Sequence, residues 1–351
     1  MKKVSILFIV SALLFSACKT DFKLTSPWKE QMVIFGLLNQ SDSVQYIRIN
    51  KTYLGEGNAY TMGGISDSIN YKYLLNVTVS KWVNGVFVSN LAVDTTTALA
   101  QDPGVFANSP NQVLYRIKTP LTGTPLTDDA EYRLNVVNPV TGYSARASTN
   151  LVKGVSGNTG AMSINAPYSG STSYNFYNTT SPFKIEWVTG ANAKLYEPIL
   201  RFHYTEYSVS ATTQKYIDKD FGQFATVGTA GGEVMDVTLS YADFLNFLNA
   251  SIPNDPTVGK RVFGKCELIF YVASDEFNTY MEVNKPVSSI TGDKPIYTNI
   301  TNGIGLFSAR YTFNGQNYSK VLNNQTVTNA STDPLTCHLH FADQNGVVTC
   351  P

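Results

Sequence analysis

Four cysteines and three histidines are the side chains of this sequence best suited to covalent or metal chemistry. Four of these seven residues lie close together near the C-terminus: Cys337, His338, His340 and Cys350. Thiolate and imidazole are the usual ligands of zinc, but on a strand the two histidines would share a face that Cys337 does not. In an oxidising compartment, Cys337 and Cys350 could instead form a disulfide across the intervening Asp-Gln-Asn-Gly turn. We predict this disulfide, no metal and no cofactor, and we expect Cys266, which sits in an apolar run, to be a buried thiol.

Two lysines at the N-terminus precede an apolar run at residues 4–15 and then small residues, which is the layout of a secretory signal peptide. The run is shorter than the roughly 20 apolar residues of a membrane-spanning helix, so we prefer cleavage to an uncleaved anchor. Residues 15–18, Phe-Ser-Ala-Cys, resemble a bacterial lipobox, in which the cysteine is acylated and the chain is cut before it. We therefore predict a signal peptide at residues 1–17, acyl chains on Cys18 that bind the membrane, and a tether at residues 18–29.

Catalytic motifs are absent from the sequence. It contains neither a Gly-x-Ser-x-Gly elbow nor a His-Glu-x-x-His metal motif, and His203 lies among aromatic residues, as a structural histidine does. The 26 Lys and Arg residues balance 26 Asp and Glu residues, so the chain lacks the basic field that nucleic-acid binding requires. We predict a non-catalytic binding protein. A hydrolase whose carboxylates come from distant segments is one alternative.

Aromatic residues suggest a second alternative, because flat rings stack on sugars. The chain has 21 Tyr and 19 Phe but only 3 Trp. Strands favour Tyr and Phe for packing, so most of these rings should fill cores. Trp82 falls on the polar face of a predicted hairpin and is the candidate ligand contact. A carbohydrate- or matrix-binding adhesin is therefore the alternative to an accessory binding module.

The first half of the chain has the alternation of short strands. Residues 76–89, NVTVSKWVNGVFVS, predict a hairpin whose Asn84-Gly85 pair supplies the two positive φ angles of a type I′ turn. Four glycines make residues 54–70 a predicted loop. About seven short strands between residues 30 and 152, with turns every 8–12 residues, indicate an antiparallel sandwich, with a partly open barrel as the alternative.

The second half begins after a Gly-, Ser- and Asn-rich stretch at residues 153–177, which we interpret as a linker. Residues 178–311 predict a second sandwich with two short helices, Ser240 to Ala250 and Ser274 to Val283, each with a serine N-cap. Residues 312–351 are interpreted as a tail or hairpin. The predicted fold is thus mainly β, with two antiparallel, immunoglobulin-like β-sandwich domains.

Four short segments together resemble a known family. Gly36-Leu37-Leu38 and residues 46–51 (YIRINK) follow the lipobox, and residues 270–280 (FYVASDEFNTY) and 295–307 (PIYTNITNGIGLF) follow in the second half. In this order they resemble the Bacteroidota lipoproteins called domain of unknown function 4249, over most of residues 18–311. The resemblance implies an outer-membrane lipoprotein, of a family without known biochemistry, often encoded beside TonB-dependent transporters. It therefore suggests such a transporter as partner, besides the membrane reached through acyl chains.

Overall fold

The computed structural model of the chain describes residues 29–53, 58–99, 112–118, 126–155, 159–178, 180–285 and 296–350. The predicted signal peptide, Cys18 and nearly all of the tether lie outside the described residues. No helix in the described ranges is long and apolar enough to cross a membrane.

Seventeen strands account for nearly half of the described residues. In chain order they are β1 (Met32–Asn39), β2 (Val44–Lys51), β3 (Asn76–Val83), β4 (Val86–Asn90), β5 (Val93–Thr96), β6 (Leu114–Lys118), β7 (Glu131–Val137), β8 (Ser144–Asn150), β9 (Ser163–Ala166), β10 (Ser173–Tyr174), β11 (Phe183–Val188), β12 (Leu195–Ser208), β13 (Thr212–Asp220), β14 (Phe224–Ala225), β15 (Val234–Leu239), β16 (Val258–Ala273) and β17 (Gly303–Leu322).

Five short helices and one 3₁₀ turn complete the described part of the chain. The helices are α1 (Ala59–Gly63), α2 (Ser66–Ile69), α3 (Tyr241–Ser251), α4 (Asp275–Asn284) and α5 (Asn324–Thr332), and the 3₁₀ turn is Cys337–Leu339.

The strands form three sheets. A ten-stranded sheet has the order β13-β12-β16-β17-β1-β2-β6-β5, with β14 and β10 paired at its sides; a four-stranded sheet has the order β4-β3-β7-β8; and a three-stranded sheet has the order β15-β11-β9. The smaller sheets each cover part of the large one, so the predicted β-sandwich architecture is confirmed.

Two separate cores lie between these layers. In the first core, Ile34 of β1 and Phe307 of β17 pack in one cluster with Tyr132 and Leu134 of β7, and all four are at most 1% exposed. The second core is centred on aromatic rings. Its members from all layers include Trp187, Phe202, Phe244 and Phe270. Each core thus buries the apolar alternate residues of two facing sheets, which is the main stabilising term of a sandwich.

Strand β17 belongs to both cores. Its residues 303–310 pair in parallel with β1, and residues 310–321 pair antiparallel with β16. The sheets are therefore not purely antiparallel as predicted, and the predicted boundary at residue 311 falls inside a strand. Alternation along a strand identifies its buried face but not its neighbours, so the sequence pattern could not show this pairing.

The Gly-, Ser- and Asn-rich stretch at residues 153–177 is packed into the second core. It contributes β9 and β10 and the buried side chains of Met162, Tyr174 and Phe176. The Phe176 ring stacks on Phe244 with centroids 4.8 Å apart. The composition that suggested a linker instead supplies turns between short strands.

Local predictions agree closely with the structure. Asn84 and Gly85 have φ angles of 51° and 77° between β3 and β4, as the type I′ turn requires. The predicted helices form as α3 and α4, with Ser240 and Ser274 as their N-caps. The predicted loop at residues 54–70 was wrong in part, because α1 and α2 form there. These helices have only 5 and 4 residues, so a segment rich in polar residues and glycine shows no helical period there.

The C-terminal segment, residues 323–350, packs on the second core. Helix α5 and the 3₁₀ turn bring Leu339 and Phe341 into that core, where both are at most 1% exposed. The Arg261 guanidinium is fully buried beneath this segment and donates to the Leu339 carbonyl at 2.6 Å. The disulfide of Cys337 and Cys350 closes the last loop. Side-chain contacts thus fix residues 323–350 on the sheet, although the sequence suggested a tail there.

Candidate functional site

The outer face of the four-stranded sheet carries a row of polar side chains. On it, Ser80 of β3 lies opposite Arg133 of β7, and Arg133 lies opposite Ser148 of β8. In the next row, Asn135 of β7 lies opposite Arg146 of β8. The intervening residues face the first core, because side chains alternate along each strand. The alternation that builds the core therefore also gathers these polar groups on one surface.

These rows form one wall of an open groove of about 610 Å³. Residues 299–301, which precede β17, form the other wall: Thr301 pairs with Arg146 through two backbone hydrogen bonds of 3.0 and 2.7 Å. Asn299 is held by the backbone of Phe307, which donates to its Oδ1 and accepts from its Nδ2. Glu276, in the first turn of α4, also lines the groove. The groove thus joins segments separated by more than a hundred residues.

The two arginines of the groove differ in their partners. Arg133 donates to the Glu131 carboxylate from Nε at 2.9 Å and from Nη2 at 2.6 Å, and this hydrogen bond lowers the pKa of Glu131. Exposed Arg146 donates to the Asn135 side-chain oxygen at 3.3 Å. Within the part of the chain that the structure describes, no carboxylate lies within ion-pair distance of Arg146. Its guanidinium is therefore the group in the groove best placed to bind an anionic ligand.

Trp82, the predicted ligand contact, lies beside this groove on the same sheet face. The guanidinium carbon of Arg133 sits 4.1 Å above its ring, and the Phe87 ring meets it edge-on with centroids 5.6 Å apart. Its indole nitrogen donates to Ser80 Oγ at 2.9 Å. One ring face is thus occupied by a cation–π contact, while Phe87 remains 49% exposed. Trp82 therefore helps to position Arg133 at the groove, and only part of its ring surface is left for stacking on a ligand.

A second polar cluster lies on the outer face of the large sheet, over the second core. His203 Nε2 is 2.8 Å from a Glu267 carboxylate oxygen, and Lys265 pairs with the other oxygen. Burial of Glu267 opposes its ionisation, but the bonds from Lys265 and His203 outweigh burial and lower its pKa. Beside it, Arg201 forms a bidentate pair with Asp218 at 2.7 and 2.8 Å. The positive and negative charges of this cluster are paired with one another, as in the cross-strand pairs that stabilise a sheet.

The three cysteines that the structure describes and His340 occupy structural positions. The disulfide joins Cys337 and Cys350 with Cα atoms 5.3 Å apart. Cys266 is a free buried thiol, and burial raises its pKa. His340 Nδ1 lies 2.8 Å from the Val258 carbonyl oxygen. In the described ranges, no three His, Cys, Asp or Glu side chains are grouped as metal ligands.

The sequence suggested Trp82 as a candidate ligand contact, which stays a prediction, and did not suggest Arg133, Arg146 or Asn299. The available signal was the alternation of β7, in which Arg133 and Asn135 occupy the polar positions. This alternation places Arg133 and Asn135 on an outer face of the sheet, but it does not show that residues 299–301 lie beside them. Asn302, at φ 58°, turns the chain directly before β17 and so positions the second wall.

Comparisons with known proteins add little to this geometry. No family model and no curated protein matches the chain. A crystal structure of a DUF4785 family protein from Legionella pneumophila is similar at 11% identity, covering 65% of this chain and 48% of that one, with a TM-score of 0.18. The chain spans about half the length of that protein. Likeness at this level carries no functional argument.

Proposed function

We propose that this protein is a non-catalytic binding protein, held on the outer membrane by acyl chains on Cys18, whose groove binds a partner or ligand through Arg146. The observation that carries the proposal is the open groove itself. It presents a guanidinium beside amide and hydroxyl groups that the backbone already holds in position. Such preorganised donors favour binding, since little side-chain entropy is lost when a ligand arrives.

The chemistry of the groove supports binding more than catalysis. Arg133 is paired with Glu131, and Asn299 is bonded to the Phe307 backbone, so these groups hold shape and charge. Glu276 Oε2 accepts a hydrogen bond from Ser308 at 3.2 Å. A general base acts on a nucleophile or substrate proton within hydrogen-bond reach. Ser308 is 0% exposed, so its hydroxyl, although bonded to this carboxylate, is closed to a substrate. The proposed partner is a TonB-dependent transporter, which the family resemblance suggests.

The proposal is tested by affinity purification of the tagged lipoprotein from its native outer membrane. We expect a TonB-dependent transporter to co-purify with the wild type and with the Arg201→Ala control, which removes a half-buried arginine from the outer face of the other sandwich. The Arg146→Ala variant should retain less transporter. Wild-type protein that sediments with the membrane but carries no transporter would contradict the partner assignment.

The lipid anchor needs its own test. Metabolic labelling with a palmitate analogue should label the wild type and leave Cys18→Ser unlabelled, because the acyl chains attach at that residue. Equal labelling of both proteins would refute acylation at Cys18.

A carbohydrate ligand is the second candidate, favoured by the exposed Phe87 ring beside Trp82. A glycan array can decide it. Binding that is lost in Phe87→Ala and kept in Tyr168→Ala, which removes an exposed ring from the other sandwich, would support a sugar site on this sheet. An array without any bound glycan would remove the candidate.

A further inference from the structure

One end of the first sandwich is defined by Glu30, the residue directly after the predicted tether. The Glu30 carboxylate accepts hydrogen bonds from Asn138 at 2.6 Å, from Thr141 at 2.6 Å and from Tyr71 at 3.1 Å. Burial and the neighbouring Glu30 charge raise the pKa of Tyr71 well above its usual range. We call this region the Glu30 end. The chain therefore enters the folded part at a point that is fixed to three other residues.

Strand register places several turns at the same end. Met32 of β1 pairs with Lys51, the last residue of β2, and with Gly303, the first residue of β17. In the facing sheet, Asn76 begins β3 opposite Val137, which ends β7. The turns that follow β2 and β7, and those that precede β3 and β17, are thus gathered where the tether enters.

These turns expose apolar side chains that the first core does not use. The exposed fractions are 47% for Ile65, 39% for Tyr73, 56% for Leu74, 70% for Val140 and 85% for Ile296. Ile296 belongs here because it lines one cavity with Val33 and Ile304, near the starts of β1 and β17. Single exposed apolar residues are common, but several at one end of a sandwich indicate a contact surface.

The length of the tether indicates what this surface contacts. Eleven residues, 19–29, separate Cys18 from Glu30, and an extended chain spans at most about 3.6 Å per residue, so the Glu30 end stays within roughly 40 Å of the acylated residue. The second core lies further along β17, beyond residue 310. With Cys18 acylated, the tether joins the fold at the Glu30 end, which favours this end as the one that faces the bilayer.

We propose that the Glu30 end rests on the membrane, with Tyr73, Leu74, Val140 and Ile296 inserted at the lipid interface. This inference depends on the proposed lipid anchor. Aromatic and aliphatic side chains partition into the headgroup region, and exposed Lys29 can meet anionic headgroups there. The surface acts as a second membrane contact, orients the sandwich and directs the second core away from the bilayer.

Depth-dependent fluorescence quenching tests the orientation with a matched pair of valines. Val140→Cys and Val209→Cys each replace an exposed valine in the turn between two antiparallel strands, at 70% and 103% exposure. The full acylated protein is labelled with bimane without reductant, since Cys266 is buried and Cys337 is oxidised. It is then reconstituted in vesicles of phosphatidylethanolamine and phosphatidylglycerol with brominated acyl chains.

We expect bimane at position 140 to lose roughly half its emission, because interfacial residues reach about 5–10 Å into the acyl boundary, while position 209 is unchanged. Flotation of the vesicles separates the two hypotheses. Protein that floats without quenching at position 140 overturns the orientation and leaves the anchor standing. Protein that does not float overturns both. In native membranes, a photo-crosslinker at position 140 that captures a protein rather than lipid would also overturn the orientation.

Discussion

Replacing Arg261 by methionine should destabilise the second core, because three separate segments converge on its guanidinium. Nε donates to Glu206 of β12 at 2.9 Å, one Nη donates to the Leu339 carbonyl at 2.6 Å, and the other donates to the Pro253 carbonyl at 3.1 Å. The side chain is 0% exposed, so water does not replace these bonds in the folded state. Methionine keeps the apolar stem and removes the donors.

The size of the effect follows from what is left behind. Removing one partner of a buried ion pair costs about 3–5 kcal/mol, because the other charge stays buried. Glu206 retains Lys215 at 2.6 Å, so it is not left without a counter-ion, but the carbonyls of Leu339 and Pro253 each lose a charged donor. We expect a loss of about 4 kcal/mol, which lowers the melting temperature by roughly 8–16 °C for a domain of this size.

The assay is urea unfolding followed by Trp187 fluorescence, in a background where Trp28 and Trp82 are replaced by phenylalanine. Trp187 is fully buried in the second core. Arg201→Met is the control: its pair with Asp218 lies on the opposite, solvent-facing side, with side chains 25% and 32% exposed. An exposed pair contributes about 1 kcal/mol or less.

A double variant separates loss of charge from loss of packing. Combining Arg261→Met with Glu206→Met removes the buried carboxylate as well, so the pair of apolar side chains should recover part of the stability. The reasoning would be refuted if Arg261→Met cost no more than Arg201→Met, or if the double variant were less stable than the sum of its single changes.

Three further outcomes are expected. Cys350→Ser should lower the free energy of unfolding by up to about 3 kcal/mol, and with it the urea midpoint, since the bond closes a loop with a sequence separation of 13; a midpoint equal to that of the wild type under oxidising conditions would contradict this. Gly305→Ala should destabilise the fold by roughly 2 kcal/mol or more, because φ is 113° and a Cβ would lie 2.0 Å from the Ile34 carbonyl oxygen. The control Gly259→Ala, with open space around the added Cβ, should be near neutral. Equal melting temperatures of the two variants would count against the close approach of β1 and β17. Burial opposes ionisation of Glu206, but its two cationic partners lower its pKa below the ordinary 4.5, so its stabilisation is present above about pH 4.5 and lost as the pH falls through the lowered value; Glu206→Gln should flatten the acid limb of urea midpoints measured between about pH 6 and pH 3.

The sequence by itself determined the features that depend on neighbours a few residues apart. Asn84-Gly85 specifies its hairpin turn because both φ angles are positive, and Ser240 begins α3 because its hydroxyl accepts from the Asp243 backbone. Strand alternation identified the mainly β fold and the outer position of Trp82. The lipobox at Cys18 is likewise a local pattern, and acylation there stays a prediction.

Only the tertiary structure decided which distant segments meet. The pairing of β1 with β17, the groove between Arg146 and Thr301, and the burial of Arg261 under Leu339 join residues far apart in the chain. A strand with a buried face can pair with many partners of equal pattern, and the choice depends on the packing of whole layers. That is why a segment that reads as a tail is bound to the second core, and why a surface arginine becomes part of a groove.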